Sequence, residues 1–168
     1  SINTLNALKT LVRRGDFVVM SIYIETTFRK MKNYKGENFW YTYYDDMRRT
    51  LGPDVKIVWV GYTPILNAMG IYAPMPGQKS PIYDNKKYNV NLRKEFNTVF
   101  KRKTTNDTNG FFLDFSNLLE DGNGNVGAYI PGTDTLLYYD TYHLTKRGAY
   151  FLWPFVCEWL DTNNITKN

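Results

Sequence analysis

A chain of 168 residues with 43% hydrophobic and 22% charged residues is too apolar for a disordered segment, and it has the length of one domain, which on folding buries roughly 70% of its unfolded surface. The 21 Lys and Arg against 16 Asp and Glu leave a formal charge of +5, but the positives are scattered through "VRR", "FRKMK", "MRR", "NKK" and "FKRK" without a nucleic-acid-binding motif, which argues against a nucleic-acid partner. No apolar run reaches the roughly 18 residues of a membrane span, and the single cysteine, Cys157, has no internal partner for a disulfide.

Ile2, Leu5, Leu8, Leu11 and Val12 recur at helical spacing, and Gly15 supplies a stop, so the first element is predicted as an amphipathic helix. The opening "SINTLNALKTL" reads as the interior of a longer domain. "DFVVMSIYI", residues 16 to 24, is a continuous β-branched run, the pattern of a strand buried on both faces. A second helix is predicted in "NFWYTYYDDMRRTLG", with Phe39, Trp40, Tyr43, Tyr44 and Met47 on its apolar side and Gly52-Pro53 ending it. "VKIVWVGY", residues 55 to 62, gives a second buried strand.

A loop from Thr63 to about Asn85 follows, with Pro64, Pro74, Pro76 and Pro81, and loops of this length tend to carry function. A third helix runs through Tyr88, Leu92, Phe96 and Val99, and "GFFLDF" forms a third strand. The alternation of helix and strand predicts a single α/β domain with a parallel sheet and right-handed crossovers. "TLLYYD" is a short extended run, after which Thr145 can cap a last helix, "KRGAYFLWPFVCEWL", that Pro154 should bend.

Three candidate motifs fail on their surroundings. "GNGNVG", residues 122 to 127, has the letters of a dinucleotide fingerprint, yet no strand leads into it and Pro131 blocks a helix after it, so it reads as a turn. "DGNGN", residues 121 to 125, opens like a calcium loop, but Val126 stands where the loop needs Gly and Gly132 where it needs Glu. One histidine and one cysteine cannot supply a tetrahedral nitrogen and sulfur zinc site, and Cys157 in an apolar helix packs as a small hydrophobe. The sequons at Asn106 and Asn164 permit glycosylation in a secreted eukaryotic chain.

The lone histidine has a different setting. Asp140 and His143 flank a tight connection between the extended run and the last helix. At that spacing a carboxylate can accept the ring Nδ1 proton, fixing the tautomer in which Nε2 takes a proton from a hydroxyl. Such a pair is the base and orienter half of a serine hydrolase triad.

Around these residues "DTYHLTKRGA", residues 140 to 149, resembles the C-terminal Asp-x-x-His block of SGNH (GDSL-type) hydrolases, and is most similar to the SGNH domain appended to membrane acyltransferase-3 type O-acetyltransferases. "LKTLVRRGDFVVMS" resembles the helix, Gly-Asp turn and central strand of that family, and "VKIVWVGYTP" its next strand with a Thr-Pro exit. The likeness runs from about residue 5 to 156, with the last block its only specific part.

The resemblance implies a three-layer, flavodoxin-like α/β fold, a serine esterase or O-acyltransferase using no cofactor or metal, and an acylated carbohydrate or acyl donor as substrate. It places His143 as the base and Asp140 as its orienter. It also implies an extracytoplasmic, membrane-tethered location, with a transmembrane acyltransferase domain in the same polypeptide. Tyr23, Glu25 and Thr63, at the carboxyl ends of two strands, are the expected substrate-lining residues.

The nucleophile block is where the sequence departs from the family. "RGDF", residues 14 to 17, precedes a strand and has Phe17 where a serine is required, and none of Ser1, Ser21, Ser80 and Ser116 follows Gly-Asp. No Gly-x-Asn-Asp block for the oxyanion hole is present. The expectation is therefore a domain lacking its first strand or two, with the nucleophile upstream of Ser1 and the sheet open beside the strand at 16 to 24. The other reading is a non-catalytic SGNH-like module that binds a glycan or a protein partner through its aromatic surface.

Overall fold

The computed structural model describes residues 2–22, 36–61, 87–119, 128–139 and 143–166. Among them are five helices and a three-stranded parallel sheet: α1 (Ile2–Leu11), β1 (Phe17–Met20), α2 (Glu37–Leu51), β2 (Lys56–Val60), α3 (Lys87–Thr105), β3 (Gly110–Leu113), α4 (Ser116–Leu119) and α5 (Lys146–Thr162). The chain divides into two compact units. One comprises Ser1–Tyr62, Lys94–Asp114 and Ile165–Asn168, the other Thr63–Arg93 and Phe115–Asn164.

The first unit holds the sheet. Its strands lie in the order β1-β2-β3 and are all parallel, Phe17 aligning with Lys56 and Ile57 with Gly110. Parallel neighbours cannot be joined by a tight hairpin, so each needs a long return, and the segments containing α2 and α3 provide it. In α2, Trp40, Tyr44, Met47 and Leu51 recur at i, i+4, i+7 and i+11 and are buried, which is the single apolar stripe of a helix lying on a sheet. Phe39 and Tyr43 flank that stripe and are half-buried.

Gly52 ends α2. It takes a φ of 90°, a conformation a β-carbon disfavours, and its N–H donates to the Arg48 carbonyl. Arg48 then ties the helix end to the chain entering β2, its Nη1 donating to the carbonyls of Gly52 and Val55. The helix packs through an aromatic cluster: Trp40 meets Phe96 edge-on at 5.0 Å, Phe96 stacks on Phe100 at 4.1 Å, and Phe100 lies 4.6 Å from Trp59 of β2. Ring pairs in these geometries each add about 0.5–1.5 kcal/mol to the area they bury. Much of the chain's high aromatic content is spent here, in the core.

β2 is central and buried at Ile57, Val58 and Trp59, as its unbroken apolar run predicts. β1 differs from expectation. Instead of being buried on both faces it leaves Phe17 41% and Val19 53% exposed, because β2 flanks it on one side and, among the described residues, no strand flanks it on the other. An unbroken apolar run implies burial on both faces only when the sheet continues past the strand.

The second unit is built around Leu119, Ala128, Ile130, Leu137, Tyr138 and Leu152, with Phe115, Leu118 and Tyr129 packed against them. The expected extended run around 135–140 forms two isolated antiparallel bridges, Tyr129 with Leu136 and Tyr138 with Leu144. A turn at Pro131 and Gly132 reverses the chain between the first pair, closed by the Ile130 N–H on the Thr135 carbonyl and the Thr133 N–H on the Ile130 carbonyl. The one-turn helix α4 was not foreseen, four residues being too few to show a periodicity.

Candidate functional site around His143

The chain approaches His143 through Leu137 and Tyr138, anchored in the core of the second unit, and leaves it into α5. Two backbone contacts close the connection: the Tyr139 N–H donates to the His143 carbonyl at 2.7 Å, and Tyr138 and Leu144 form an antiparallel bridge. Thr145 then locks the exit. Its hydroxyl donates to the Leu136 carbonyl at 2.6 Å while accepting from the Gly148 N–H at 2.9 Å, so one side chain both caps α5 and fastens the helix start to the preceding extended segment.

His143 is exposed, two residues ahead of Thr145, the N-cap of α5. An imidazole there is reachable by a substrate while its backbone is held on both sides. In the sequence on either side, Tyr139 is 69% exposed, Tyr150 63% and Trp153 60%, with Leu144 and Phe151 also uncovered. Tyr150 and Trp153 stand three apart on α5, opposite the buried Gly148 and Leu152, and the Lys146 ammonium lies 5.7 Å from the Tyr150 ring centroid.

The remaining sequence-predicted site residues, Asp140, Tyr23, Glu25 and Thr63, lie outside the described residues, as do the turn at 122–127 and the loop from 63 to about 85. Cys157 is half-buried in α5 and forms no disulfide. Pro154 sits inside α5, which continues to Thr162. Among the described residues, no three His, Cys, Asp or Glu side chains gather as a metal-ligand set, and no helix is long and apolar enough to cross a membrane.

No family model, curated protein or solved structure matches this chain.

Two polar features of the first unit were not legible in the sequence. Asp107 gathers the Tyr44 hydroxyl at 2.6 Å, the Arg48 guanidinium at 2.7 and 2.8 Å and the Asn109 N–H at 3.0 Å. Burial, then the hydrogen bond and charge of Asp107, push the Tyr44 phenol well above its ordinary range, Arg48 opposing in part. Oδ2 takes the Tyr44 and Arg48 donors and Oδ1 the Asn109 N–H, so this carboxylate ties α2 to the chain entering β3. Glu95 on α3 is the converse: burial raises its carboxyl, and its buried Oε1 has no hydrogen-bond partner among the described residues. In "NLRKEF" it reads as an ordinary polar helix position.

Proposed function

We propose that this chain carries the base half of an SGNH-type serine esterase or O-acyltransferase acting on acylated, in the first instance acetylated, carbohydrate. His143 takes the proton from a serine hydroxyl as it attacks the ester carbonyl, then gives it to the leaving alcohol. Asp140 orients the ring and stabilises the imidazolium. The serine and the donors of the oxyanion hole come from polypeptide outside residues 1–168. Water as acceptor gives hydrolysis and a sugar hydroxyl gives transfer, both through the same acyl-enzyme. In this reading the fold is the three-layer flavodoxin-like one, and the protein is extracytoplasmic and tethered through a transmembrane acyltransferase domain.

The observation that carries the reading is the setting of His143: an accessible imidazole on a connection pinned by the Tyr139–His143 backbone bond and by the Thr145 cap. A general base needs that combination of access and fixed position. The sequential order β1-β2-β3 is compatible with strands three to five of a 2-1-3-4-5 sheet. The exposed rings of Tyr139, Tyr150 and Trp153 also favour a second reading, a non-catalytic module that stacks sugar rings on this surface.

Hydrolysis of p-nitrophenyl acetate separates the two. The polypeptide extended through the upstream encoded residues is expected to be active, and His143→Ala to lower its kcat/KM at least about a thousandfold. Inactivity of the extended form, with retained binding of an acetylated oligosaccharide that Trp153→Ala weakens, would instead establish the binding module.

A further inference from the structure

Three successive rungs of one antiparallel pair bring Tyr139 to the side of His143. The Thr145 N–H donates to the Leu137 carbonyl at 2.9 Å, Tyr138 bridges Leu144, and the Tyr139 N–H donates to the His143 carbonyl at 2.7 Å. Hydrogen-bonded and non-bonded pairs alternate along such a ladder, so Tyr139 stands directly opposite His143 in the last rung. Opposite residues of an antiparallel pair share a face, with Cβ atoms about 5 Å apart. The tyrosine is therefore the cross-strand neighbour of the histidine, and backbone contacts set their closeness.

Leu137 and Tyr138 are 0% and 3% exposed and anchor this segment in the core of the second unit, whereas the next ring, that of Tyr139, is uncovered, as is His143. Tyr150 and Trp153 are uncovered too, but they stand on α5, beyond the rungs that place Tyr139. The reaction defines what lies beside the imidazole. As the acyl-enzyme forms, the bond between the acyl carbon and the alcohol oxygen breaks, its electron pair stays on that oxygen, and the imidazolium gives the oxygen its Nε2 proton. The leaving oxygen is then within hydrogen-bond reach of Nε2, and the rest of the alcohol lies over the residues that flank the histidine. In transfer the acceptor hydroxyl takes the same place, with the proton moving the other way.

We propose that Tyr139 is the platform that holds the alcohol half of the ester, a pyranose ring, while His143 exchanges a proton with its oxygen. This deepens the esterase or acyltransferase reading and rests on it. A phenol ring presents a flat apolar face that the C–H face of a pyranose can cover. Stacking there fixes the sugar oxygen near Nε2, so Tyr139 selects esters of sugars over esters of small alcohols.

Two acetate esters that differ only in their alcohol are the probes, an O-acetylated methyl pyranoside and ethyl acetate, hydrolysed by the upstream-extended polypeptide. Tyr139→Ala should lower kcat/KM for the sugar ester at least about fivefold and leave that for ethyl acetate within about twofold of wild type. Tyr139→Phe keeps the ring and should hold the sugar ester within about twofold of wild type. Turnover of ethyl acetate shows in the same assay that the alanine variant is folded. Equal losses on both esters would make Tyr139 a structural residue. A phenylalanine variant as slow as the alanine variant would place the contact on the hydroxyl, and an unchanged sugar ester would remove Tyr139 from the site. Each of these results overturns the platform and leaves the serine esterase reading standing, whereas wild type inactive on both esters overturns that reading and the platform with it.

Discussion

Tyr44, Arg48 and Asp107 meet across some sixty residues of sequence, and the consequence of that meeting is measurable. The folded state holds the Tyr44 phenol protonated beyond its ordinary pKa, through burial first and Asp107 second. Its stabilising contribution is therefore complete below pH ~10, where an unfolded tyrosine titrates, and is lost as pH rises above that value. Tyr44→Phe should lower stability at pH 7 by about 1–2 kcal/mol, since a hydrogen bond to a charged acceptor goes. The gap between wild type and variant in urea unfolding should narrow from pH 8 to pH 11; a gap that stays constant would show that the phenol's proton is not involved. Tyr43, raised by burial alone, steepens the alkaline limb in both proteins. None of this was legible in the sequence, because a hydrogen bond between remote positions leaves no local pattern. Thr145 was legible, since capping is a rule about neighbours three residues apart, and the Thr145 hydroxyl accepts from the Gly148 N–H as the rule requires.

At the level of elements, periodicity served where burial is one-sided or complete. The stripe of α2 and the buried run of β2 both follow from it. It misread β1, whose apolar letters describe a strand buried on both faces, whereas Phe17 and Val19 are exposed. The start of α5 depends on a glycine for a packing reason that spacing alone does not show. A methyl group at Gly148 would be driven into the Leu137 carbonyl, so the helix can lie against that segment only without a side chain at this position. Gly148→Ala, which in an exposed helix would stabilise by up to about 1 kcal/mol, should here destabilise by about 1–3 kcal/mol. Chemical denaturation decides the sign, and a stabilised variant would mean that α5 can move off the 136–138 segment without loss. Because Thr145 is fastened to the same segment, the variant should also disturb the backbone that presents His143.

For the whole molecule, alternating helices and strands announced an α/β chain with a parallel sheet, and the described residues form one. The aromatic content divides between core and surface, the first unit burying Trp40, Trp59, Phe96 and Phe100 while the second leaves Tyr139, Tyr150 and Trp153 uncovered. Of the proposed site, the described structure carries the exposed His143 and the backbone closure of its connection. The partner assigned to His143 rests on the Asp-x-x-His spacing of residues 140 to 143. That pairing is the central claim, and a double-mutant cycle tests it. In the upstream-extended polypeptide, kcat/KM for p-nitrophenyl acetate is to be measured for wild type, Asp140→Asn, His143→Ala and the double variant. If carboxylate and imidazole act as one unit, each single change is costly, and the double variant is no slower than His143→Ala alone. Losses that multiply, or an Asp140→Asn enzyme as active as wild type, would contradict the pairing and leave His143 without its orienter.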